Sequence, residues 1–112
     1  MFIEKPWGSE ELLEKNEIYV VKRLVMKKGC RCSLQYHVKK TETIYIVSGQ
    51  LRIFLGDADD KLESRVYKEN EFITIPSGMI HRMEGVTDCC YLEASTPELE
   101  DVVRVEDDYN RI

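Results

Sequence analysis

Short apolar runs recur along the chain between polar turn signals, and where apolar and polar positions alternate with a period of two they mark strands with one buried and one wet face. Residues 50–55 (QLRIFL) show it plainly, with Leu51, Ile53 and Leu55 on one side and Arg52 on the other. Similar short runs occupy residues 10–14, 18–26, 31–37, 43–47, 62–67, 72–75, 80–84 and 89–95, and residues 18–26 (IYVVKRLVM) are the richest in β-branched side chains. Turn formers separate them: Lys27-Lys28-Gly29, Ser48-Gly49 and the polar loop Gly56-Asp57-Ala58-Asp59-Asp60-Lys61. Many short strands with turns between them predict an all-β barrel or sandwich. Lys5-Pro6-Trp7-Gly8 reads as a rigid turn whose tryptophan caps the barrel or meets a partner subunit. Only residues 97–109 break the pattern, as a short helix or an extended arm with its carboxylates in solvent. No repeat, low-complexity tract or linker divides the chain, so residues 1–112 are expected to be one domain.

Composition narrows the setting. A chain of 112 residues can bury one core without disulfide support, and 43% apolar with 33% charged residues is ordinary for a soluble globular protein. The net charge of −5, with no basic run, excludes nucleic acid as the expected partner. No apolar stretch approaches the roughly 20 residues that span a bilayer, and Met1 to Pro6 lacks the apolar run of a signal peptide. A cytoplasmic protein with no membrane partner is expected. Its four cysteines then read as reduced thiols. Cys30-x-Cys32 and Cys89-Cys90 lack the two-residue gap of a zinc knuckle and are taken as structural.

The candidate chemistry lies around residues 35–42. On a strand, Gln35 and His37 project from one face, and Glu42 can return to that face if the chain turns through Val38-Lys39-Lys40. The other histidine, His81, opens an apolar run after Pro76-Ser77-Gly78. If the two strands face each other, Gln35, His37, Glu42 and His81 converge on one cation. Neutral imidazoles and a carboxylate suit zinc, manganese, iron or nickel, and an amide oxygen is a harder, weaker donor. Taken alone, Gln-x-His is also what ordinary polar strand surface looks like.

Longer motifs carry a resemblance. Gly29-x5-Gln35-x-His37-x4-Glu42-x6-Gly49 resembles the first signature of the cupins, with glutamine where most members have their first histidine. Asn70-x5-Pro76-x-Gly78-x2-His81 resembles the second, with Asn70 replacing its opening glycine and Gly85 its final asparagine. Within the cupins, Lys5-Pro6-Trp7-Gly8, Val21-Lys22-Arg23, Ser33-Leu34-Gln35, Ile80-His81-Arg82 and the tail from Glu100 to Tyr109 are similar to the mannose-6-phosphate isomerase domain of bifunctional type II guanylyltransferases. That likeness covers nearly the whole chain.

The resemblance implies a double-stranded β-barrel (jelly roll) with a short C-terminal arm or helix, a homodimer, and one divalent metal ion held by Gln35, His37, Glu42 and His81. Zinc is the first expectation, with manganese, iron, nickel or cobalt as alternatives. The implied activity interconverts aldose and ketose sugar phosphates, moving a proton between adjacent carbons through an enediolate whose charge a metal can hold. Glu93 is the candidate base if it faces the cavity rather than pairing on an outer face. Lys40 and Arg104 are candidates to meet an anionic sugar, unless each makes only a surface ion pair. Lys40 stands where the family has an arginine important for isomerisation, so the resemblance also implies a catalytic role for it; a lysine keeps the charge but loses the planar fork. The family's run of histidines after the glutamine is absent. A non-catalytic cupin that binds a small sugar or acid, and a metal-dependent oxygenase, remain open alternatives.

Overall fold

The alternating runs fold into eleven strands among the residues described, 1–111, in a computed structural model of the chain. In chain order they are β1 (Phe2–Lys5), β2 (Gly8–Lys15), β3 (Val20–Met26), β4 (Leu34–Tyr36), β5 (Glu42–Ser48), β6 (Leu51–Gly56), β7 (Glu63–Tyr67), β8 (Phe72–Ile75), β9 (Ile80–Gly85), β10 (Cys89–Ser95) and β11 (Val103–Glu106). One sheet runs β1-β2-β3-β10-β5-β8 and the other β11-β4-β9-β6-β7, with every strand pair antiparallel. The central quartets β3-β10-β5-β8 and β4-β9-β6-β7 are the two facing halves of a jelly roll. The β1-β2 hairpin widens one sheet, and β11 widens the other.

Strand alternation sets the interior. Leu24 and Met26, Ile44 and Ile46, Leu51 and Ile53, and Cys89 and Tyr91 point inward from both sheets and are buried. Removing each such aliphatic side chain from water contributes about 1.5–3 kcal/mol. Two or four residues further along the same inward faces, the chemistry changes to Lys22 on β3, Glu42 on β5 and Glu93 on β10, with His81 arriving from β9.

Several boundaries differ from those expected. Residues 2–5 form a strand although Phe2, Ile3 and Glu4 are exposed, because pairing with β2 holds them; the Lys5 to Gly8 turn joins the two strands. Trp7 is buried in the core cluster, and so serves as a cap on this chain's own barrel. The strand expected from residue 18 starts at Val20, since Asn16 Oδ1 accepts the main-chain N–H of Ile18 and Tyr19 at 2.8 and 2.9 Å and takes them out of the ladder. At residues 31–33 only a single bridge from Arg31 to Glu84 forms, and the ladder begins at Leu34. The tail is extended, not helical. β11 pairs with β4, and Asp108 pins the segment beyond it to Arg31 (2.6 and 3.2 Å) and Arg82 (3.4 Å).

Asn70 explains its own place in the second motif. Its φ of 69° is left-handed, a conformation that asparagine tolerates better than other residues carrying a Cβ, so it can stand where a glycine is usual. Its Oδ1 also accepts the Tyr45 hydroxyl at 2.8 Å.

Candidate metal centre and its cavity

Three elements deliver the candidate ligands. His37 follows β4, Glu42 opens β5, and His81 is the second residue of β9, in register opposite Gln35. All three are buried, and their ligand atoms lie within 4.8 Å of one another. His81 Nε2 is 3.0 Å and His37 Nε2 3.3 Å from the same oxygen, Glu42 Oε1. The ring centroids are 5.0 Å apart.

The other ring nitrogens decide the chemistry. His81 Nδ1 lies 2.9 Å from the Met79 carbonyl, and His37 Nδ1 2.5 Å from the Asp101 carbonyl. A carbonyl oxygen only accepts, so each Nδ1 carries a proton and donates it. A neutral ring that donates through Nδ1 presents a lone pair at Nε2. Both lone pairs are aimed at a carboxylate oxygen that is itself an acceptor, and His81 Nε2 is buried without a hydrogen-bond partner. Two donors each about 2.1 Å from a shared ion, with an angle near 100°, sit roughly 3.2 Å apart, which is the spacing seen. The donor set fits a divalent cation.

The ligand loops are tied to each other. Gly78, left-handed at φ 83°, donates its N–H to the His37 carbonyl at 2.7 Å and so joins the β8–β9 turn to the end of β4. Burial opposes ionisation of Glu42, while the neighbouring Lys40 charge favours the carboxylate and works to hold it ionised.

The remaining expected residues all reach this region. Gln35 lines the same cavity, and its amide oxygen accepts the Ser33 hydroxyl at 2.5 Å. Lys40 is buried rather than at the surface, with its Nζ 3.7 Å from Glu42 Oε2 and 3.5 Å from Glu93 Oε2. Burial works against its charge, yet Glu93 and Glu42 raise its pKa above the ordinary lysine value. Glu93 points inward and is buried, so the outer-face alternative does not hold. Burial and the nearby Glu42 charge push its carboxyl up to about 8, against the pull of Lys40 and Lys22. Arg104, opposite Gln35 on β11, lines the cavity and makes no ion pair among the described residues; its Nε is buried with no partner.

The cavity has a volume of about 170 Å³. Lys5, Lys22, Lys40, Arg104 and Arg111 line it against the carboxylates Glu10, Glu42 and Glu93, so with a divalent ion in place its field favours an anion. Lys22 and Glu10 were not among the expected site residues. They form a pair at 3.3 Å on the inward side of β3 and β2. The signal for Lys22 was present, since it shares the period-two stripe of Val20, Leu24 and Met26.

Comparison with known proteins places this geometry. The family model described as mannose-6-phosphate isomerase C-terminal matches residues 2–107. The chain belongs to that family. Among curated relatives, the mannose-1-phosphate guanylyltransferase ManC of Salmonella typhimurium is 34% identical over 98% of this chain and 23% of its own length. The chain thus spans about a quarter of the length of the curated relatives it matches. Among solved structures, the capsular polysaccharide assembling protein CapF of Staphylococcus aureus superimposes with a TM-score of 0.82 at 23% identity, over 95% of this chain and 34% of that one. Oxalate decarboxylase of Bacillus subtilis, a protein described with Mn(II) centres, gives 0.79 at 18% identity, over 92% of this chain and 29% of that one. The fold of this isomerase-family domain is the cupin fold. No helix among the described residues is long and apolar enough to cross a membrane.

Proposed function

We propose that this chain is a metal-dependent cupin that isomerises an aldose and a ketose sugar phosphate, with mannose 6-phosphate as the leading substrate. The observation that carries the reading is the buried, unpartnered Nε2 of His81 grouped with His37 and Glu42, the latter two lining a cation-rich cavity. His37, Glu42 and His81 would hold the ion, with Gln35 as the fourth donor once its bond to Ser33 is exchanged. Zinc suits this donor set best, and manganese is supported by the fold neighbour that carries it. When bound, the ion supplies Lewis-acid polarisation of a carbonyl oxygen.

The chain's own residues divide the rest of the work. Glu93 lines the cavity beside Lys40 and is the group to take and return a proton between adjacent carbons. Lys40, held between two carboxylates, keeps them apart and is poorly free to bind a phosphate. Arg104, with an unpartnered Nε, is the better phosphate contact. Trp7, Leu24 and Tyr91 exclude water from one side of the cavity.

A homodimer in the cytoplasm completes the proposal. Val25, Tyr45, Val47 and Phe72 leave apolar surface on the outer side of the six-stranded sheet, and a second copy is the occupant that the family resemblance implies. Sedimentation giving a clean monomer at micromolar concentration would count against it.

Turnover of mannose 6-phosphate and fructose 6-phosphate by the metal-loaded protein tests the reading. Glu93→Gln should lower kcat by about 10²–10⁴-fold. Arg104→Met should raise KM with kcat little changed. Lys40→Arg, which restores the family's fork, should be at least as active as wild type. If neither wild type nor Lys40→Arg turns over and neither sugar shifts the melting temperature, the isomerase reading fails. A cupin that binds another small sugar or acid then takes its place.

A further inference from the structure

We infer that Asp101 is the positioning residue of the metal centre, fixing both the ring of His37 and the loop that carries Lys40 into Glu42. Its carboxylate accepts three consecutive main-chain N–H groups: Val38 at 3.0 Å on Oδ1, and Lys39 and Lys40 at 2.7 and 2.9 Å on Oδ2. Its carbonyl oxygen accepts the Nδ1 proton of His37 at 2.5 Å. One residue between β10 and β11 therefore sets the tautomer and tilt of one ligand and the path of the chain to the next.

The other contacts of the loop lie at its two ends, Gly78 to the His37 carbonyl and Thr96 to the Thr41 carbonyl, and at the Lys40 side chain. The side chains of Val38 and Lys39 are in solvent, so packing does not hold their stretch of loop. The N–H groups of residues 38–40 have no other partner among the described residues. The segment bearing Asp101 is itself anchored one turn earlier, where Thr96 N donates to the Thr41 carbonyl at 3.0 Å and Thr41 N donates to Thr96 Oγ1 at 3.1 Å. Leu99 and Val102, on either side of Asp101, form part of the cavity wall. The segment is thus wall and clamp together. Partners that orient a ligating histidine typically affect metal affinity by 10–100-fold when removed. Binding linkage also runs both ways, so an ion that needs the clamped loop must tighten it.

The inference rests on the metal reading, and the test separates the two. Zn²⁺ is titrated, in competition with a chelating dye, into wild type, Asp101→Asn, Asp101→Ala and the control Asp108→Asn, which loosens the tail pin to Arg31 and Arg82, none of which lines the cavity. The melting temperature of each metal-free protein is measured alongside. Affinity should fall about 10-fold or more in Asp101→Asn, and further in Asp101→Ala, while Asp108→Asn loses thermal stability but keeps affinity within about twofold. In wild type, hydrogen exchange at the amides of residues 38–40 should slow on adding Zn²⁺, a readout that needs no variant to fold. Wild type that takes up no Zn²⁺ refutes the metal reading itself. Wild type that binds, with both Asp101 variants within twofold of it, or with no slowing at residues 38–40, overturns the role of Asp101 and leaves a turn cap only.

Discussion

The two ends of the barrel interior are built on the same strands and differ almost completely in chemistry. At one end, Met26, Ile46 and Cys89 continue the apolar stripes of β3, β5 and β10; at the other, Lys22, Glu42 and Glu93 occupy the equivalent inward positions. The apolar end gains stability from burial. The polar end spends some of it, because each ion removed from water carries a desolvation penalty that only close partners offset. The fold therefore holds from one end while the other is free to be chemically useful, a separation that alternation makes possible without any change in backbone.

Substitutions at the two ends should part in their effects. Lys40→Met at the polar end removes the cation between Glu42 and Glu93. Leaving the buried Glu42 carboxylate without that cation should destabilise the metal-free protein by about 3–5 kcal/mol, measured by urea unfolding. Added divalent metal should recover part of that loss. At the apolar end, Ile46→Ala should cost about 2–5 kcal/mol through the cavity it opens, with metal uptake unchanged and no recovery on adding metal. Equal responses of the two variants to metal would erase the distinction between the ends.

Thiol reactivity sharpens the comparison with a smaller effect. Cys32 lies at the cavity and Cys89 at the apolar end, and burial pushes both thiols up to about 11. At pH 8 each should be thiolate at only about one part in a thousand. Alkylation followed by mass spectrometry should modify the partly exposed Cys30 and Cys90 well before either buried thiol. Uniform labelling of all four would mean that the interior is open at both ends.

The smallest expected effect concerns the tail, whose Arg111 lines the cavity. Asp107 is held down to about 2 by Arg111, whose Nε and Nη2 lie 2.7 and 3.0 Å from its carboxylate. Because the folded value lies below the ordinary 3.8, the stability this pair contributes is fully present above about pH 4 and is lost as pH falls towards 2. Asp107→Asn should flatten that part of the melting-temperature profile, and an unchanged profile would contradict the assignment.

Most of this division was legible in the sequence, and the missing parts share a cause. The short apolar runs between turn signals located most strands of both sheets, and the spacing of His37, Glu42 and His81 identified three side chains that come together, with Gln35 on the wall of the same cavity. β1 and the pairing of β11 with β4 were not legible: Phe2-Ile3-Glu4-Lys5 does not alternate, and Val103-Arg104-Val105-Glu106, which does, sits in a carboxylate-rich tail with nothing to mark its partner; both are held by main-chain bonds to a neighbour. Lys22 was visible as a charge within an apolar stripe, but which face of β3 turned inward was not marked. Asp101 sat in an acidic tail that reads as solvated surface, and its partners are main-chain groups some 60 residues away, which no side-chain pattern reports. Glu93 had two readings until β10 was placed between β3 and β5.

The most direct test is the metal content of the purified protein. Elemental analysis of wild type prepared without chelators or added metal, compared with His81→Ala handled identically, should give about one divalent ion per chain in the first and little or none in the second. Wild type with no stoichiometric metal even after loading, or His81→Ala retaining as much as wild type, would contradict the account.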